Sequence, residues 1–300
     1  MEQIALGDSG LTVSRVGLGC NNFGGRIDFA ATRAVVEAAL DVGVTFLDTA
    51  EVYGNGGDSE RFLGEVLEGR RDEVVLATKV GWGGETGDGS AANVHRAIDG
   101  SLERLRTDHV DLYYLHKPDP STPIAETLGA LDELVRERRV RAIGCSNFSA
   151  EQLAEADRVA RELGTARFTV LQNHYNLLRR DDDADVLPLC RELGVAYIPY
   201  FPLASGLLTG KYRRGEPAPA GTRLEGREIE DERFDRIEAL TAFAEERGRS
   251  LHELAIAALA STPGVGSIIA GATKPEQVRT NAAAASWRLT DDELGALARI

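Results

Sequence analysis

Hydrophobic and polar positions along this chain alternate in blocks. Short apolar runs recur at 16–19, 44–47, 74–77, 110–115, 141–145, 168–172, 195–200 and 267–271. Between them lie longer segments whose apolar positions recur at helical spacing, near 30–42, 59–68, 91–105, 122–138, 184–193, 232–247, 250–261 and 275–285, with a last one at 291–300. A continuous apolar run of strand length reads as a strand buried on both faces, the kind found in parallel sheets. Ser149-Ala150-Glu151-Gln152 opens a further helix with a capping-box pattern, and Thr290 suits the N-cap of the last one. The first residues break the pattern: 3–6 and 11–13 flank the turn-forming Gly7-Asp8-Ser9-Gly10, which predicts a β-hairpin. The rhythm pauses between 201 and 233, where Gly, Pro and Arg accumulate over a stretch long enough to be a functional loop.

Eight strand-helix alternations predict an α/β fold, a closed (β/α)8 TIM barrel with an N-terminal β-hairpin and extra C-terminal helices. Barrels of this kind run to about 250 residues or more as one unit, so residues 1–300 are expected to form a single domain. A doubly wound sheet is the runner-up. The first strand is followed by Gly19-Cys20-Asn21-Asn22-Phe23-Gly24-Gly25, which lacks Gly-x-Gly-x-x-Gly spacing, and no Walker-type loop is present.

Composition narrows the partners. A formal charge of −14 disfavours nucleic acid and anionic membranes, so any bound anion must be caught locally. Of the 34 basic residues only four are lysines, and Lys79, Lys211 and Lys274 follow strand-like runs. Cys20, Cys145 and Cys190 are scattered, which argues against a disulfide framework or a zinc site; no metal is expected, and a reducing cytoplasm fits. The N-terminus has no export pattern, and a soluble cytoplasmic protein is expected.

The candidate chemistry sits where strands end. The run 44–47 stops on Asp48, with Tyr53 five residues on; 74–77 leads into Thr78-Lys79; 110–115 leads into His116; and Ile143-Gly144-Cys145 leads into Ser146-Asn147. In a (β/α)8 barrel these C-terminal strand ends share one mouth. A phenol with an ordinary pKa of about 10 needs a nearby cation to give up its proton at neutral pH. Lys79 would supply it, Asp48 would hold Lys79 charged, and His116 would donate a hydrogen bond to a carbonyl oxygen. Singly, Asp48 reads equally as a turn cap and Tyr53 as a loop aromatic; their joint spacing favours proton transfer.

With their contexts, Asp48-Thr49-Ala50-x-x-Tyr53-Gly54, Thr78-Lys79 and Leu115-His116-x-Pro118-Asp119, these residues resemble the aldo-keto reductase superfamily. The resemblance spans essentially the whole chain. It runs on through Gly144-x-Ser146-Asn147-Phe148, Gln172-x-x-Tyr175-Asn176, the stretch from Tyr200 to Lys211, and Gly271-x-x-x-Pro275-x-Gln277-x-x-x-Asn281. The resemblance implies reduction of aldehydes or ketones, small-molecule carbonyl substrates, with NADP(H) as cofactor. By position Tyr53 corresponds to the general acid, supported by Lys79, Asp48 and His116. Ser146, Asn147 and Gln172 would hold the carboxamide, and Tyr200 would stack on the nicotinamide. Pro202, Leu203, Ser205, Gly206, Leu207, Thr209 and Lys211 would wrap the pyrophosphate. Gly271, Ala272, Thr273, Lys274, Gln277 and Asn281 would meet the 2′-phosphate and adenine. Gly271 and Gln277 stand where many members carry Lys and Arg, which shifts recognition onto Lys274 and Thr273. Asn21 and Lys117 stand where tryptophans are common, so Asn21, Trp82 and Lys117 are the expected substrate contacts. The pattern is closer to bacterial and channel-β-subunit-like branches, which brings in an alternative: a nicotinamide-binding regulatory subunit of the same fold with slow turnover.

Other residues read more plainly. Trp82 fits a pocket wall as well as a cover over the barrel end. His95, His109 and His252 read as surface or packing residues, whereas His174 follows the Gln172 strand and could approach the site. The run 179–183 reads as a solvated loop, and Cys145 as a small buried hydrophobe. A metal-dependent hydrolase would need a His-x-His strand end or a carboxylate cluster, and the sequence has neither.

Overall fold

A computed structural model describes residues 1–83 and 87–300. The glycine-rich loop expected around Trp82 extends into residues 84–86, outside the described residues. Strands β1 (Gln3–Ala5) and β2 (Thr12–Ser14) form an antiparallel hairpin. Eight further strands, β3 (Val16–Gly19), β4 (Phe46–Asp48), β5 (Val75–Val80), β6 (Val110–Leu115), β7 (Val140–Ser146), β8 (Phe168–His174), β9 (Ala196–Tyr200) and β10 (Ile268–Gly271), pair in parallel and in chain order, with β10 closing on β3. This is the predicted closed barrel.

Helices α1 (Phe29–Asp41), α3 (Asp58–Val66), α4 (Ala91–Leu105), α5 (Ile124–Arg136), α6 (Ala150–Leu163), α7 (Val186–Leu193), α8 (Asp231–Glu245), α9 (Leu251–Ser261) and α10 (Pro275–Ala284) surround it, followed by α11 (Asp291–Leu297). The predicted caps form, and Ser250 adds a third: Ser149, Ser250 and Thr290 each accept from the backbone N–H three residues on, and Gln152, Glu253 and Glu293 reach back. One element departs from expectation. Tyr53 opens a short kinked helical turn, α2 (Tyr53–Gly56), made possible by the left-handed Gly54, which follows the strand end too closely for a free loop.

Each barrel strand presents alternate residues inward and outward. Outward positions such as Leu47, Leu76, Tyr113, Leu115, Ile143, Leu171 and Tyr197 join the core beneath the helices. Inward positions Phe46, Ala77, Leu112, Tyr114, Ala142, Val170, Ile198 and Ile269 form a second cluster with Leu6, Leu11 and Val13 of the hairpin. The hairpin therefore plugs the N-terminal end, tied there by the Asp8 amide donating to the Gly194 carbonyl at 3.0 Å. Among the described residues, no helix is long and apolar enough to cross a membrane.

Candidate active site

One pleat above the inward apolar layer the same strands become polar. Two residues beyond Phe46 is Asp48, beyond Ala77 is Lys79, beyond Tyr114 is His116, beyond Val170 is Gln172 and beyond Ile198 is Tyr200. A period of two and a common strand direction thus bring these groups to one mouth. Gly144 makes the floor possible. A Cβ there would lie 2.7 Å from the Tyr114 ring, so glycine leaves space for that ring, over which the Lys79 ammonium sits at 5.6 Å.

Lys79 is fully buried, and its ammonium donates to Asp48 Oδ1 and, at 2.8 Å, to the Thr49 carbonyl. The other Asp48 oxygen accepts from Gln172 Nε2 at 2.8 Å. Burial disfavours the ammonium, but Asp48 and Tyr53 outweigh it and hold the Lys79 pKa above its ordinary value. The ammonium lies 5.0 Å from the centre of the Tyr53 ring. Burial pushes the Tyr53 phenol up, Lys79 pulls it back and Asp48 pushes it up, leaving the group protonated at neutral pH. His116 meets Tyr53 edge-to-face at 5.8 Å. Burial and the charges of Lys79 and Lys117 hold its imidazole well below the ordinary pKa, so it is neutral at pH 7; its Nδ1 is buried without a partner among the described residues. A charged lysine, a protonated phenol and a neutral imidazole can together hold and protonate a carbonyl oxygen.

Trp82 packs on His116 at 4.6 Å, and the Lys117 ammonium lies 3.8 Å over the Trp82 ring, so both stand at this mouth. Asn21 is half-buried at the end of β3, with its Oδ1 near Gly271. Ser146 donates to the Gln172 carbonyl at 2.7 Å. Asn147, in a left-handed conformation, donates to the His116 carbonyl at 2.9 Å and accepts from the Tyr200 hydroxyl at 2.7 Å. The segment 201–209 turns on left-handed residues Phe201, Ala204, Ser205 and Gly206, with Pro202, Leu203 and Leu207 turned into the fold. The Thr209 hydroxyl donates to the Gly206 carbonyl, and the Lys211 side chain lies against Gly206, 2.8 Å from where a Cβ would be.

The start of α10 is self-capped. Gln277 Oε1 accepts from the amides of Thr273 at 2.7 Å and Lys274 at 3.2 Å, so those donors are engaged by the chain itself. Gly271 and Lys274 are exposed and Ala272 is buried, its carbonyl accepting from Asn22. Asn281 is buried, and its Oδ1 accepts from His252 Nε2 at 2.8 Å; His252 is thus a partner of an expected site residue. Nothing in its helical context signalled this, because the contact joins α9 to α10 across sequence. Sequence reasoning also missed Arg223, whose guanidinium reaches back from the 201–233 segment to Asn22 Oδ1 at 3.0 Å and lies over the Phe201 ring. The run 179–183 is more than a solvated loop. Asp182 accepts from the Tyr197 hydroxyl, Asp183 from the Tyr175 hydroxyl, and Arg179 bonds His174. Among the described residues no three His, Cys, Asp or Glu side chains cluster as a metal site.

The profile of the Aldo/keto reductase family matches residues 15–300. A probable voltage-gated potassium channel subunit beta of Oryza sativa subsp. japonica is 38% identical, over 94% of this chain and 90% of its own length. The aldo-keto reductase YhdN of Bacillus subtilis (strain 168) is 34% identical, over 98% of this chain and 91% of its own. An uncharacterized oxidoreductase, YrpG, of the same bacterium is 37% identical, over 93% and 89%.

Proposed function

This chain belongs to the aldo/keto reductase family of oxidoreductases, and from that premise we propose that it reduces aldehydes or ketones to alcohols with NADPH. The observation that carries the reading is the buried Asp48–Lys79 pair set against Tyr53, with neutral His116 alongside. In this reading His116 donates a hydrogen bond to the carbonyl oxygen and fixes its position. Tyr53 gives its proton to the same oxygen, and Lys79 stabilises the phenolate that forms, while Asp48 keeps Lys79 charged and aimed. The dinucleotide, when bound, supplies the hydride.

The residues present suit such a cofactor. Ser146, Asn147 and Gln172 offer polar groups around the carboxamide, and Tyr200 offers a ring face. Lys211, lying against the left-handed turn at 204–206, offers a cation to a pyrophosphate. For the 2′-phosphate, Lys274 and Arg223 offer cations; Arg223 is linked to Lys274's strand end through Asn22 and the Ala272 carbonyl. Asn21, Trp82 and Lys117 would face the substrate.

Fluorescence titration with NADPH and with NADH, followed by oxidation of the preferred one by small aldehydes, tests the reading. Tyr53→Phe is expected to lower turnover on the order of 10²-fold while leaving cofactor affinity nearly intact. Unchanged turnover in that variant would overturn the assignment. The likeness to proteins named as channel β subunits supports a second reading, a nicotinamide-binding regulatory subunit; tight cofactor binding with negligible aldehyde-dependent oxidation would favour it.

A further inference from the structure

His174 ends β8 directly beside Tyr200, its register partner at the end of β9. Side chains of adjacent parallel strands at matched positions point the same way. The two rings lie face to face, with centroids 5.3 Å apart and planes within 20°. Phe201 meets both edge-on, His174 at 5.4 Å and Tyr200 at 5.2 Å. The imidazole does not swing freely: His174 Nδ1 and Arg179 Nη1 are 2.8 Å apart. A guanidinium only donates, so Nδ1 accepts in this contact, and on the ring's other side Nε2 lies 3.4 Å from the Asn176 side-chain amide nitrogen. Burial and the neighbouring Arg179 hold the ring below its ordinary pKa against the opposing pull of Asp181 and Asp182, which keeps it neutral. At the far end of Tyr200 the hydroxyl is fixed to Asn147 Oδ1 at 2.7 Å.

Tyr200 is therefore held at its hydroxyl, along one edge and across one face. We propose that His174 is a positioning residue: anchored by Arg179, its imidazole backs Tyr200 and sets the plane of the ring face offered to the nicotinamide. The proposal rests on the reading of Tyr200 as the nicotinamide platform. A ring that is held at its hydroxyl but unsupported behind can tilt about that bond. A tilted platform misplaces the ring bearing the hydride, and such misplacement acts on turnover more than on binding. His174 touches neither substrate nor cofactor in this scheme. It acts through Tyr200, and Arg179 acts through His174.

Steady-state kinetics on the full-length chain, with NADPH and a small aldehyde, test this alongside binding of adenosine 2′,5′-bisphosphate, a probe of the adenine end alone. His174→Ala is expected to lower kcat about tenfold and leave the Kd of the bisphosphate unchanged. His174→Phe, which restores a flat ring, should recover most of the loss. Adding His174→Ala to Tyr200→Ala should change kcat no further, since the platform is already gone. Full kcat in His174→Ala, a loss that adds in full to that of Tyr200→Ala, or a loss shared by bisphosphate binding would each overturn the proposal. Should His174→Ala fold poorly, Arg179→Met removes the anchor together with an exposed ion pair to Asp181: about a threefold loss of kcat with unchanged bisphosphate binding is expected, and wild-type kcat would count against the proposal. If the wild-type chain binds the bisphosphate but Tyr200→Ala has wild-type kcat, the platform reading itself has failed. That result is distinct from normal loss in Tyr200→Ala without loss in His174→Ala, which removes the proposal alone.

Discussion

The two ends of the barrel are built by the same eight strands and could hardly differ more. At the N-terminal end, Phe46, Ala77, Leu112, Val170 and Ile269 pack against Leu6, Leu11 and Val13 of the hairpin. One pleat toward the C-terminal end, the same strands present Asp48, Lys79, His116 and Gln172, all buried; Asp48, Lys79 and Gln172 are bonded to one another across strands, whereas the His116 imidazole keeps a buried Nδ1 without a partner among the described residues. The lower end gains stability from burial of apolar area; the upper end spends some of it to hold charges out of solvent. Because both ends share a register, the plug below keeps the groups above aligned.

Breaking the upper end should have the largest effect. Lys79→Met leaves Asp48 buried and uncompensated, an expected loss of about 3–5 kcal/mol of stability together with loss of turnover. Urea denaturation followed at pH 7 checks the first and NADPH oxidation the second; a variant as stable as wild type would mean that Asp48 is better solvated than its burial indicates. Leu112→Ala opens the lower layer instead. It is expected to cost about 2–5 kcal/mol while leaving kcat near the wild-type value at temperatures where the variant stays folded. A kcat loss at full folding would show that the two ends are coupled more tightly than register alone requires.

Acidification perturbs the upper end more gently. His116 is held below its ordinary pKa of 6.5 in the folded chain, so the unfolded chain binds its proton first. Its neutral form contributes stability that is present above pH 6.5 and lost as pH falls toward the folded value. Wild-type stability should decline on acidification from pH 7 to pH 5, and His116→Asn should flatten that decline. A variant whose stability falls as steeply as wild type would place the acid sensitivity elsewhere.

The barrel was legible because its signal is repetitive: apolar runs at the spacing of βαβ units and polar residues where each run stops. The ends of individual elements drifted by up to three residues, and the α2 turn at Tyr53 was missed, since only the positive φ of Gly54 permits it. The Asp48, Lys79, Tyr53 and His116 cluster was legible for the same reason as the barrel, because the direction of parallel strands carries every strand end to one face. The pairing of Asp182 with Tyr197, of Arg223 with Asn22 and of His252 with Asn281 was not, because each contact joins elements whose packing no local pattern encodes.

Sequence alone determined the alternation of strands and helices, the hairpin that opens the chain, the caps at Ser149 and Thr290, and which polar side chains stand at strand ends. Those features depend on hydrophobic period and backbone propensity, which act over a few residues. Tertiary packing set the rest: Lys79 is paired and charged, His116 is neutral, Gln277 holds the Thr273 and Lys274 amides that lead into α10, and His174 stacks on Tyr200. Burial, charge state and ring contact depend on what stands across a gap of a few ångströms, and chain closure brings residues far apart in sequence into that gap.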